Sequence, residues 1–90
     1  MGWPGTHDRT RRGKLRDVEL VAAREVLTEI MQGAITYAGK SGQAGAVLLF
    51  GLCPATLHKA LCGLSISYLT ASCVRKGLRR VDRLPPPVTP

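Results

Sequence analysis

The chain is poor in aromatic side chains, acidic residues and cysteine, and no uncharged run in it reaches the length of a membrane-crossing helix. Its aromatics are only Trp3, Tyr37, Phe50 and Tyr68, scattered and mostly set in apolar stretches, so no platform for stacking bases is laid out. Six Asp and Glu stand against 13 Lys and Arg, which excludes an acidic disordered tail. Three cysteines in 90 residues cannot close a complete intramolecular disulfide framework. Cys53, Cys62 and Cys73 form no tight knuckle of the kind structural zinc sites use. His58 and Cys62 do stand four apart, on one face of any helix that carries them. A Cys53–His58 nucleophilic pair lacks any identifiable group to orient the histidine. No catalytic residue, cofactor, metal or small-molecule substrate is therefore expected. The first long uncharged run opens only at Ser41, so no secretory leader is expected either.

Ninety residues make one small domain, which on folding buries only about 60% of the surface its unfolded chain exposes. A hydrophobic content of 44% with 21% charge is that of a folded chain rather than a disordered one. The charge is segregated. Residues 1–16 carry Arg9, Arg11, Arg12, Lys14 and Arg16 against Asp8, a net +4; residues 75–90 carry Arg75, Lys76, Arg79, Arg80 and Arg83 against Asp82, again +4. The 58 residues between them sum to −1, with three basic and four acidic groups. Basic blocks of this kind suit anionic headgroups, nucleic-acid phosphates or an acidic protein.

Apolar residues recur at helical steps through Leu15, Val18, Ala22, Val26, Ile30, Ala34 and Tyr37. Ala23, Leu27 and Met31 widen this stripe, while Arg24, Glu25, Thr28, Glu29 and Gln32 lie mostly opposite. The spacing predicts an amphipathic helix over residues 15–38, with Asp17 and Glu19 where the helix dipole favours anions. Gly39, Gly42 and Gly45 then break it. Ser41 to Leu57 is 17 residues without a charge and Ala60 to Val74 another 15, separated only by His58 and Lys59. Residues 57–74 show no clean polar face as a helix, and a helix apolar all round needs burial on every side. An apolar helical hairpin over residues 44–76 answers that need, with its short arms dipping into lipid. A single span is disfavoured, because Lys59 would sit near its middle at about 2.5–3.5 kcal/mol. A small α/β fold is the alternative, with strands at Ala46–Phe50 and Leu64–Thr70 and a short helix opened by Pro54 through Leu61 between them.

Three short motifs carry specific chemistry. Ala34 to Ser41, AITYAGKS, matches a phosphate-loop spacing if Ala34 replaces the first glycine. No strand precedes it, and no later strand supplies a metal-binding Asp, so a helix stop at a glycine cap is the better reading. MGWPGT fits the acceptor pattern for myristoylation at Gly2, although Trp3 and Pro4 beside that glycine suit it poorly. The terminal Pro87-Val88-Thr89-Pro90 is a bare P-x-x-P with no basic residue at a useful offset.

The expected architecture is thus mainly α. A basic flexible arm (1–14) precedes a single small helical domain (15–76), whose apolar segment is 44–74, and a basic, proline-rich tail (77–90) follows. The expected role is that of a small non-catalytic membrane-associated protein, contacting lipid or a membrane protein through Val47, Leu48, Leu49, Phe50, Leu64, Ile66 and Leu69. Arg9, Arg11, Arg12, Arg75, Arg79 and Arg80 are expected to touch anionic headgroups or an acidic partner from the cytoplasmic side. The alternative is a soluble basic module that binds nucleic acid, with RRGKLR and RKGLRR as nuclear-import signals.

Overall fold

A computed structural model of the chain describes residues 12–86, the side chains from residue 13 onward. The protein is mainly helical, as the periodicity requires. Among the described residues there are four helices, α1 (Asp17–Met31), α2 (Gly42–Phe50), α3 (Pro54–Leu61) and α4 (Tyr68–Arg80), and one two-stranded antiparallel ribbon. The ribbon pairs β1 (Arg12–Gly13) with β2 (Ile66–Ser67), Arg12 opposite Ser67 and Gly13 opposite Ile66. The alternative α/β arrangement is not adopted: Ala46–Phe50, a strand in that reading, is helix, and of Leu64–Thr70 only Ile66 and Ser67 are extended.

The first helix ends at Met31 rather than near residue 38, and the reason is local. Gly33 takes a left-handed φ of +79°. Its N–H reaches the Ile30 carbonyl at 3.2 Å, while the Ala34 N–H reaches that of Glu29 at 2.8 Å. This paired closure satisfies the last carbonyls of the helix and turns the chain away. The apolar rhythm of Ala34 and Tyr37 therefore belongs to a connection, not to a helix. Within that connection Tyr37 and Lys40 exchange two backbone hydrogen bonds, at 2.8 and 2.9 Å. Ala38 (φ +54°) and Gly39 (φ +75°) between them form a tight turn of the type that needs two positive φ values. AITYAGKS is this turn; it follows a helix rather than a strand, and its glycine is not the helix cap.

The expected hairpin over 44–76 is three helices. Gly51, left-handed at φ +66°, closes α2. Pro54 opens α3 at its first turn, where a missing N–H is harmless, and the two axes meet at 74°. The Ser67 hydroxyl accepts the Thr70 N–H at 3.2 Å and caps α4. That helix runs on to Arg80, four residues into what was expected as tail. There the Arg83 N–H returns to the Leu78 carbonyl at 2.8 Å around a left-handed Asp82.

The core gathers Ala23, Val26 and Ile30 of α1, Ala46, Leu49 and Phe50 of α2, Leu57, Ala60 and Leu61 of α3, and Ala71, Val74 and Leu78 of α4, with Leu15 and Ile66. The inward stripe of α1 is Glu19, Ala23, Val26 and Ile30, continued from Leu15. It is rotated from the expected one, for Val18 is half exposed on the outside. A charge, Glu19, occupies a core position and is only 2% exposed. Two glycines permit the closest approaches. A side chain at Gly45 would meet the Lys40 carbonyl oxygen at 2.5 Å, and one at Gly77 would run into the Phe50 ring.

Candidate functional site

The basic block at the C-terminal end is divided between structural and free cations. The Arg75 guanidinium grips the buried Glu19 carboxylate with two hydrogen bonds, at 2.7 and 3.2 Å. The Arg16 backbone N–H adds a third at 2.9 Å, which also ties the first turn of α1. Burial pushes the Glu19 carboxyl up, but the Arg75 and Arg16 hydrogen bonds and the Arg75 charge together bring it below its ordinary value. The same bonds hold Arg75 above its own ordinary value, against its partial desolvation. Arg83 forms a two-pronged pair with Glu29, both bonds at 3.0 Å. Arg80 donates to the Leu49 carbonyl at 2.8 Å, at the open end of α2, and lies 5.6 Å from the centre of the Tyr37 ring. Arg75 and Arg80 thus hold the fold together rather than standing free as expected. Arg79 and Lys76 remain exposed. Arg9 and Arg11 lie outside the described residues, as do Gly2 and Pro87–Pro90; Arg12 is placed only by its backbone, in β1.

The residues expected at a membrane separate in the same way. Leu49, Phe50 and Ile66 are core, at 0%, 1% and 5% exposure. Val47 is half-buried. Leu48, Leu64 and Leu69 are exposed, at 45%, 53% and 61%, and Tyr68, which had not been singled out, joins them at 55%.

The outward face of α4 brings the two kinds of group together. Tyr68 and Leu69 occupy its N-terminal turn, Ser72 and Cys73 its middle, and Lys76, Arg79 and Arg80 its C-terminal turns; their spacing places them on one side, opposite the buried Ala71, Val74 and Leu78. The β1–β2 ribbon brings Lys14 to the same place. Lys14 lines a small depression together with Ile66, Ser67, Tyr68 and Arg75. The face of α4 is therefore apolar at one end, with Leu64 just upstream, and cationic at both flanks. The phase of Tyr68, Leu69, Lys76 and Arg79 would have disclosed this in the sequence, had α4 been recognised as starting at a serine cap.

Between α1, α2 and α3 lies an open apolar pocket of about 340 Å³, lined by Leu27, Met31, Val47, Leu57 and Leu61 with His58 and Cys62 in its wall. Cys62 Sγ lies 3.5 Å from His58 Nε2, as four-residue spacing on a helix allows. Cys53 is elsewhere, exposed at the start of α3, 3.0 Å from the Thr56 hydroxyl. That hydrogen bond and the Thr56 backbone N–H lower its thiol below the ordinary value. Among the described residues no three His, Cys, Asp or Glu side chains converge as metal ligands would. No single helix there is long and apolar enough to cross a membrane; α2 and α3 reach that length only together, across their bend.

Compared with family models, curated proteins and solved structures, the chain matches none.

Proposed function

We propose that the chain is a small non-catalytic protein that attaches peripherally to an anionic membrane surface through the outward face of α4. The observation that carries this is the company Leu64, Tyr68 and Leu69 keep. Three large apolar side chains stand exposed in six residues, with Lys14 beside Tyr68 and Lys76 and Arg79 along the same helix face. Each such cation near an anionic surface contributes about 1 kcal/mol. Lys14, Lys76 and Arg79 together therefore supply roughly 3 kcal/mol, which salt weakens. A leucine withdrawn fully from water adds about 1.5–3 kcal/mol that salt does not weaken. Attachment of this design lies on the bilayer rather than across it, and the anionic lipids of a cytoplasmic leaflet are its natural counterpart.

The test is sedimentation of the purified chain with vesicles of phosphatidylserine and phosphatidylcholine, and with phosphatidylcholine alone. Binding to the anionic vesicles is expected, reduced but not abolished by raised salt. The pair Leu64→Asp and Leu69→Asp, made on exposed positions that leave the core intact, should abolish it. Lys76→Gln with Arg79→Gln should weaken it chiefly at low charge density. Unaltered binding by the double Asp variant would overturn the proposal. So would wild-type protein that ignores anionic vesicles yet binds RNA or DNA with a steep loss on adding salt, which is the behaviour of the alternative basic module.

A further inference from the structure

The pocket between α1, α2 and α3 has a nucleophile in its wall and a base beside that nucleophile. We propose that Cys62 is a site of S-acylation by fatty acyl thioesters, with the acyl chain lying in this pocket. Cys62 Sγ and His58 Nε2 are 3.5 Å apart, close enough for proton transfer, and both side chains remain open to solvent, so a bulky carrier can approach them. The pocket they border measures about 340 Å³, at the small end of the roughly 300–1,000 Å³ typical of ligand sites. Leu27, Met31, Val47 and Leu57 line it, and apart from His58 and Cys62 only Gln43 brings a polar side chain. An occupant without polar atoms needs no hydrogen-bond partner there, and an alkyl chain is such an occupant. Charge supports the same choice. Arg24 donates from Nε to the Leu61 carbonyl at 2.8 Å, one residue before Cys62, and Lys59, next to His58, is exposed. A phosphorylated acyl carrier such as coenzyme A thus meets cations at the end of the pocket where the thiol stands.

The step balances without an oxidant or reductant. At the carbonyl end of α3 the helix dipole gives a thiolate no support, so the imidazole takes the proton. The Cys62 thiol passes its proton to His58 Nε2 as the sulfur attacks the thioester carbonyl. The bond from that carbon to the carrier sulfur then breaks, and the departing sulfur takes the proton back from His58. The products are an S-acyl Cys62 and the free carrier thiol. No residue of α4 lines the pocket, so the inference does not depend on the proposed membrane contact.

Cys53 provides the internal control. It is the thiol that Thr56 favours as thiolate, but it does not line the pocket. The experiment incubates the full chain at neutral pH with octanoyl-coenzyme A and, separately, acetyl-coenzyme A, followed by intact-mass and peptide mass spectrometry. A single octanoyl adduct on Cys62, released by hydroxylamine and formed faster than the acetyl adduct, is expected. His58→Gln should slow it on the order of 100-fold, as removal of a general base does. Val47→Phe should slow octanoylation more than acetylation, and Cys53→Ser should leave both unchanged. Circular dichroism confirms that each variant is folded. Preferential labelling of Cys53, equal rates with the two acyl donors, an undiminished rate in His58→Gln, or no adduct at all would each overturn the inference.

Discussion

Replacing Arg75 by alanine tests how the fold tolerates a charge in its core. Glu19 sits at an inward position of α1, its side chain 3% exposed, whereas the side chain of Arg75 is 34% exposed. The two partners are therefore not equivalent. Arg75→Ala leaves a buried carboxylate held by the Arg16 N–H and by a longer contact, 3.4 Å, to the Arg16 guanidinium. Breaking a fully buried pair in this direction costs about 3–5 kcal/mol. With Arg16 still present and Arg75 partly in water, the low end applies, about 3 kcal/mol. Glu19→Gln keeps the shape and leaves a guanidinium that water can reach, so about 1–2 kcal/mol is expected. Urea unfolding followed by circular dichroism reads both, and on a chain of this size 1 kcal/mol corresponds to roughly 4–8 °C in melting temperature.

The pH dependence sharpens the test. The folded Glu19 carboxyl lies below its ordinary value of 4.5, so between the two values the unfolded chain binds more proton than the folded one. The pair's contribution is thus fully present above about pH 4.5 and is lost as pH falls through the folded value. In Arg75→Ala burial dominates instead, the carboxyl rises, and the deficit against wild type should shrink as the solution is acidified. An Arg75→Ala loss smaller than that of Glu19→Gln, or a deficit that does not change with pH, would refute this account.

Two further predictions concern packing. In an exposed helix Gly→Ala gains about 1 kcal/mol, but at Gly77 the new methyl meets the fixed Phe50 ring, 2.9 Å from Cε1, and the Leu49 carbonyl oxygen at 3.1 Å. Overpacking of about 1–3 kcal/mol outweighs the propensity, so Gly77→Ala should melt earlier. Gly45→Ala should melt earlier still, since its obstacle is the Lys40 backbone carbonyl, which cannot rotate away. Adjacent leucines should part company: Leu49→Asp, with no exposure at all, should lose more than about 4 kcal/mol and unfold the chain. Leu48→Asp, 45% exposed, should change the melting temperature little.

Much of the helical content was legible in the sequence because it rests on local chemistry. The Val26 and Ile30 rhythm, the acidic first turn of α1 and Pro54 at the head of α3 each signal a helix through neighbouring residues alone. The boundary at Met31 was legible in principle too, through Gly33, but the apolar rhythm continues past it into Ala34 and Tyr37. Only the backbone closure around Gly33 shows that those residues turn back. The uncharged stretch 44–74 was only partly legible, for a different reason. Lack of charge records that a segment is removed from water, not what removes it. Packing α2, α3 and α4 against α1 buries Leu49, Phe50 and Ile66 in protein, and leaves Leu48, Leu64, Tyr68 and Leu69 outside.

The candidate surfaces divide along the same line. His58 and Cys62 share a face because a helix repeats every 3.6 residues, and that much follows from four-residue spacing. That they border an apolar pocket depends on Leu27, Met31 and Val47 arriving from two other helices. Composition and local spacing by themselves determined a small, basic, mainly helical chain with cations gathered at both ends. Which cations are free was decided only by the tertiary structure. Arg75 finds Glu19 across 56 residues and Arg83 finds Glu29 across 54, and a pairing between distant carboxylates and guanidiniums is fixed by how helices pack, not by any property of the residues beside them.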